Sequence, residues 1–174
     1  MRLLAIAGLA IALAGTAQAQ APNIPVEALK AAGLDPRTKV EGAAVQVMTG
    51  QRAVLRLDAK GQPSLADVET GRIGKAASDG KETYKGAGAG KLAVALDASV
   101  EKRQSVLKVW NGLTRPITYQ AEITALRGGK LMKRMSAICT VAAGGVGYEV
   151  WPDPVISVTL SKFAETPADA QACQ

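Results

Sequence analysis

Ile117-Thr118-Tyr119-Gln120-Ala121-Glu122-Ile123-Thr124-Ala125 decides the fold class. Ile117, Tyr119, Ala121, Ile123 and Ala125 fall on one side of a period-two pattern, and Thr118, Gln120, Glu122 and Thr124 fall on the other. Successive side chains of a strand point to opposite faces, so this stretch reads as an antiparallel strand with one face buried and one wet. Upstream, 105–110 reads as a strand, and Leu92, Val94 and Leu96 alternate with alanines up to Asp97. Downstream, Met135, Ala137, Cys139 and Val141 share a face in the next expected strand. Ile156, Val158 and Leu160 share one in the last, with Ser157, Thr159 and Ser161 facing out. Asn111-Gly112 with Pro116, Gly128-Gly129, Gly144-Gly145 and Pro152-Asp153-Pro154 supply the turns between them. Short strands punctuated in this way predict an all-β, antiparallel sandwich.

The first half carries a weaker version of the same pattern. Val45 and Val47 alternate with Gln46, and Leu55 and Leu57 alternate with Arg56, so Gly50-Gln51 between them predicts a β-hairpin. A third strand is expected over 63–69. Ahead of these, 25–32 has the makings of one short helix, with Pro25 in its first turn, Glu27 at the positive end of the dipole and Gly33 just past its end. Residues 71–91 thread Lys75, Lys81, Lys85 and Lys91 among glycines and small residues, and read as a long flexible loop. Gly86-Ala87-Gly88-Ala89-Gly90-Lys91 is not a phosphate cradle, because Lys85 and Leu92 stand where that loop needs glycine and a hydroxyl residue.

Leu107-Lys108-Val109-Trp110-Asn111-Gly112 followed by Pro116-Ile117-Thr118-Tyr119-Gln120-Ala121 resembles the strand, Asn-containing turn and strand of immunoglobulin-like domains of exported bacterial proteins. The chain is also similar to small periplasmic proteins with a late cysteine and a Glu-x-Trp-Pro segment, here Cys139 and Glu149-Val150-Trp151-Pro152. The resemblance covers about 104–163 and implies an immunoglobulin-like sandwich. It implies no activity, because such domains serve as adhesion, scaffolding, inhibitor and accessory modules alike. An intersheet disulfide of the antibody type is not expected, since Cys173 follows the last strand.

The N-terminal stretch has one basic residue, Arg2, an apolar run from Leu3 to Ala14 and an A-x-A end at Ala17 and Ala19. These are the three parts of a cleaved secretory signal peptide, expected over 1–19. The run is shorter than the roughly 18 apolar residues of a spanning helix, so no transmembrane segment is expected in the mature chain. The organisation expected is therefore a signal peptide (1–19), a linker with the short helix (20–38), the sandwich domain (39–163) and a C-terminal tail (164–174). Export places Cys139 and Cys173, the only cysteines, in an oxidising periplasmic or extracellular compartment, where a disulfide pinning the tail is the expectation.

The chain has no histidine among its 174 residues. That excludes Ser-His-Asp and Cys-His nucleophile activation and His-based zinc sites, and two cysteines cannot close a four-thiolate site. No metal and no cofactor are expected. Loss of Arg2 with the signal leaves 20 basic residues against 15 acidic ones. This modest excess is readable as ordinary solubility or as a contact for an envelope protein or an anionic envelope polymer, and it does not name the partner. Nucleic acid is not expected, since no basic stripe is interleaved with stacking aromatics.

Three groups of residues are candidates for a site. Tyr148, Glu149, Trp151 and Asp153 form a compact cluster in a chain with only six aromatics, readable as a binding edge or, for Trp151, as a plug closing one end of the sandwich. Lys130, Lys133 and Arg134 surround Leu131 and Met132 at an expected hairpin tip, readable as a contact for an anionic surface or as protection of a strand edge. Glu122, Glu149, Asp153 and Glu165 are the carboxylates from which a hydrolase pair would have to come, and Ser136 with Lys133 or Lys162 is the formal alternative. A non-catalytic binding or structural module of the cell envelope is the function expected, with a small carboxylate-dependent hydrolase as the alternative.

Overall fold

A computed structural model describes residues 26–31 and 33–167. The signal-peptide reading, Pro25, Ala32 and Cys173 lie outside the described residues. The elements are α1 (Val26–Ala31), β1 (Lys39–Glu41), β2 (Ala44–Met48), β3 (Gln51–Leu57), β4 (Pro63–Thr70), β5 (Leu92–Ser99), β6 (Gln104–Asn111), β7 (Ile117–Arg127), β8 (Lys130–Ser136), β9 (Val146–Trp151) and β10 (Val155–Glu165). Two five-stranded antiparallel sheets result, ordered β1-β2-β10-β7-β8 and β4-β3-β5-β6-β9. Val45, Val47, Ile117, Tyr119, Ala121, Ile123, Val158 and Leu160 of the first sheet share one core with Leu55, Leu92, Val94, Leu96, Leu107 and Val109 of the second. The arrangement is thus sandwich-like.

The strand that decided the fold class behaves as its pattern dictates. Ile117, Tyr119, Ala121, Ile123 and Ala125 are all buried in the shared core, while Gln120 is exposed. The short helix forms and ends in a Schellman cap: Gly33 has φ +71°, its N–H donates to Lys30 O at 2.9 Å, and Leu34 N–H donates to Leu29 O at 2.9 Å. Leu29 and Leu34 then pack on Met48 and Ile156 over the outer face of the first sheet.

The expected hairpin at Gly50 does not form. β2 and β3 belong to different sheets, and the residues between them make a corner: Thr49 N–H donates to Ile156 O of the first sheet, and Gly50 N–H donates to Leu96 O of the second. Gly50, at φ +80°, supplies the left-handed backbone that a corner needs as much as a hairpin does. Crossing over lets Val45, Val47, Ala53 and Leu55 face the same core from opposite sides.

Two face assignments are also corrected. Met135 is exposed and β8 ends at Ser136, so Met135, Ala137, Cys139 and Val141 do not share a buried face. The register explains the change: Ser136 lies opposite inward-facing Ala121, and Met135 opposite Glu122, so the inward set is one residue out of step with the expected one. In β10 a register shift between Val155 and Ser157 puts Val155 in the shared core and turns Ile156 to the helix side, while Ser157 keeps the outer face, in register with Thr124 and Met48, but is fully buried there.

Residues 71–91 contain no strand or helix, yet they are packed. Ile73, Ala76, Ala77 and Tyr84 are buried, and most of them lie on the outer face of the second sheet with Val54, Ala93, Ala95, Val106 and Trp110. The loop is tied down by Asp97, whose carboxylate accepts from Ile73 N–H at 2.9 Å and Ala98 N–H at 2.8 Å. Burial lifts the Asp97 pKa above its ordinary 3.8, Glu82 adds to the rise, and those two hydrogen bonds and Arg72 oppose it. With the folded pKa raised, the native state keeps a proton that the unfolded chain has lost, so this group lowers stability as pH rises from 3.8 through the folded value. Asp97→Ala is expected to flatten that acid-range slope. At neutral pH it is expected to cost about 1–3 kcal/mol by leaving the Ile73 N–H without its acceptor. Urea melts of both proteins at a series of pH values would check both effects; a slope and midpoint like those of the wild type would show that Asp97 does not hold the loop.

Candidate functional site

The outer face of the second sheet carries a chain of alternating cations and aromatic rings. Its origin is in β5, whose inward residues are Leu92, Val94 and Leu96 and whose outward ones include only Ala93 and Ala95 at the centre. The registers align Arg52, Ala95, Lys108 and Tyr148 in one row across β3, β5, β6 and β9, and Val54, Ala93, Trp110 and Val146 in the next. The two alanines leave a trough in which long side chains from both sides meet.

Arg52 fills it. Its guanidinium carbon lies 5.3 Å from the centre of the Tyr84 ring and 5.2 Å from that of Trp110. The two rings meet edge to face at 6.0 Å. Arg52 is only 3% exposed; it donates to Lys85 O and to Glu69 Oε1 at 3.0 Å, and its buried Nε has no hydrogen-bond partner among the described residues, so the rings face a charge that is largely out of water. Cation–π contacts strengthen with desolvation, to about 2 kcal/mol. Lys108 continues the chain, its Nζ 4.6 Å from the Trp110 ring centre, 5.1 Å from that of Tyr148 and 2.9 Å from Glu82 Oε2. Lys75 closes it, with Nζ 5.2 Å from the centre of the Tyr148 ring. The same loop buries Tyr84, whose phenol donates to Gly50 O at 3.3 Å and is pushed well above its ordinary pKa by desolvation.

At one end this chain is sealed, and at the other it is open. Tyr148 is 42% exposed, with Val146 at 47% and Val150 at 42% beside it on the same face of β9. An exposed aromatic ring flanked by two ammonium groups can stack on a flat or apolar group while the exposed one, Lys75, meets a negative charge.

The four residues of the 148–153 cluster do not act together. Tyr148 faces outward; Trp151, three strand pairs further, is 6% exposed in the shared core, with its indole N–H donating to Ser136 Oγ at 3.0 Å. Glu149 is turned to the sandwich side, accepts from Cys139 N–H at 3.2 Å and has its pKa raised by desolvation. Asp153 sits between Arg127 at 3.7 Å and Arg134 at 3.5 Å. Of the basic hairpin, Lys133 pairs with Glu122 at 3.5 Å and Arg134 with Asp153, so two of its three charges are already answered within the protein, beside exposed Met132 and Met135. Glu165 meets Arg115 at 3.8 Å, so the carboxylates weighed for hydrolysis are each held by a different partner. Ser136 Oγ is engaged by Trp151, and Lys133 by Glu122.

Arg52, Lys75, Tyr84, Lys108 and Trp110 were not singled out by sequence. Their signal was present in part: Arg52 and Lys108 interrupt apolar strands, and Ala93 and Ala95 mark where an outer face is hollow. Comparison with protein-family models, curated proteins and solved structures finds no match. The face must be read from its own chemistry.

Proposed function

We propose that this chain is an exported, non-catalytic binding or structural module of the cell envelope, built on an immunoglobulin-like sandwich, and that it contacts an anionic envelope partner through Tyr148 and Lys75, with Lys108, paired to Glu82, supporting the ring from beneath. The observation that carries the reading is the Tyr148 ring, 42% exposed, with one ammonium 5.2 Å and another 5.1 Å from its centre. Mature protein should co-sediment with an isolated bacterial envelope fraction, and less so as salt rises, because screening shortens the reach of exposed charges to about 8 Å at physiological ionic strength. Tyr148→Ala combined with Lys75→Gln is expected to weaken this about tenfold, a loss on the order of 1.4 kcal/mol, with little change in melting temperature. Unaltered sedimentation of the double variant would remove this face from the function.

The proposal includes cleavage after Ala19 and a bridge between Cys139 and Cys173. Thr166 N–H donates to Pro116 O at 2.9 Å, and the adjacent Ile117 pairs with Val141, two residues past Cys139. The tail therefore leaves the last strand beside the loop that holds Cys139, and the residues between Thr166 and Cys173 can span roughly 20 Å when extended. Thiol labelling of denatured, unreduced protein from the periplasm is expected to give no signal; two labelled thiols per chain would refute the bridge.

A further inference from the structure

We propose that β9 is a strand-addition site that receives an extended, acidic segment of a partner protein along its free edge. The inference rests on the binding-module reading and names the kind of partner. β9 is the last strand of its sheet, and among the described residues it pairs only with β6. Asn111 N–H donates to Gly145 O at 2.9 Å, one step beyond the Trp110–Val146 pair. Antiparallel pairs alternate between bonded and non-bonded, so this bond fixes the phase: Gly147, Glu149 and Trp151 turn their backbone groups to β6. Val146, Tyr148 and Val150 turn theirs to the open side. These are also the three residues whose side chains are exposed on the outer face. One stretch therefore offers unpaired backbone donors and acceptors together with an apolar row at alternate positions, which are the two things an added strand uses.

The other outer strands are protected against such pairing. β1 has three residues; β4 begins at Pro63, is bulged against β3 and carries Asp67 and Glu69; β8 carries Lys130, Lys133 and Arg134. β9 has a single charge, Glu149, which is turned away and accepts from Cys139 N–H.

Charge selects the occupant. Lys75 lies over Tyr148, and Lys102 lies close by, its Nζ donating to Lys75 O at 3.0 Å; neither has a carboxylate partner among the described residues, whereas Lys108 has Glu82. A segment with β-branched residues opposite Val146 and Val150 and, on the same face between them, a carboxylate opposite Tyr148 where it meets Lys75 satisfies both backbone and charge.

The test uses the mature protein and a labelled peptide in which every second residue is threonine and the residues between them run valine, glutamate, valine on one face, its copy N-methylated at the valines and the glutamate, and a counterpart with lysine in place of glutamate. Anisotropy should show binding of the first. N-methylation removes backbone donors and leaves charge and side chains, so it is expected to weaken binding about tenfold or more. The lysine counterpart should not bind. Amide exchange at Val146, Tyr148 and Val150 should slow in the complex. If the methylated and unmethylated peptides bind equally, strand addition is wrong and the anionic contact at Tyr148 stands. If neither binds while the protein still sediments with envelope, the acidic-strand partner is excluded and the surface reading survives without it.

Discussion

Trp151→Ala is expected to destabilise the fold by about 3–5 kcal/mol, the range for truncating a buried tryptophan. A domain of ordinary stability has about 5–15 kcal/mol to lose, so the variant should be partly unfolded at modest temperature or in low urea. The reason is position as well as size. Trp151 pairs with Ser105 on β6 of the second sheet, and its indole N–H donates to Ser136 of β8 in the first. One side chain thus fills the shared core and ties together the outer strands of two sheets. Trp151→Phe separates the two roles: it keeps most of the packing and gives up the hydrogen bond, at a cost of about 0.5–1.5 kcal/mol. Urea titration followed by far-ultraviolet circular dichroism measures both. A Trp151→Ala midpoint within about 0.5 kcal/mol of the wild type would mean that the residue is not a plug.

The plug was legible in the sequence because the chain has so few large side chains that a Trp before a proline had few other uses. The β7 pattern was legible for a similar reason: both of its faces are specified along its length, and a one-residue slip would expose Ile117, Tyr119, Ala121 and Ile123 together. Where both phases of a strand carry apolar residues, as Leu131 and Met135 do against Met132 in β8, alternation cannot choose, and the phase was set by the partner Ala121. The corner at Gly50 looked like a hairpin because positive φ is common to both, and only long-range partners, Ile156 and Leu96, separate them. The cation–aromatic face was hidden for a different reason. Its members come from β3, the 71–91 loop, β6 and β9, so no window of sequence contains it, and the loop's anchors, Ile73, Ala76 and Tyr84, are spaced without any period.

Trp110→Ala is the counterpart to Trp151→Ala and is expected to cost a similar amount, on the order of 3 kcal/mol, but to distribute it differently. Trp110 is 7% exposed, and it is buried by the outer-face cluster rather than by the shared core. Its ring lies between Arg52 and Lys108 and against the edge of Tyr84, so its removal takes the central support from under the 71–91 loop and leaves Arg52 in a hollow with one ring gone. The two sheets keep their interior. Stability is not uniform across a fold, and a segment without ladder hydrogen bonds opens at lower cost than the strands beneath it. The loop should therefore loosen before the sandwich does. Limited trypsin digestion reads this directly: in Trp110→Ala, cleavage after Lys81 and Lys85 is expected to run well ahead of loss of β-sheet circular dichroism, whereas in Trp151→Ala the two should rise together. If the loop of Trp110→Ala resists trypsin as the wild type does, the Trp110 ring does not hold it, and the anchoring must come from its polar contacts, those of Asp97, Lys102, Lys108 and Tyr84 among them.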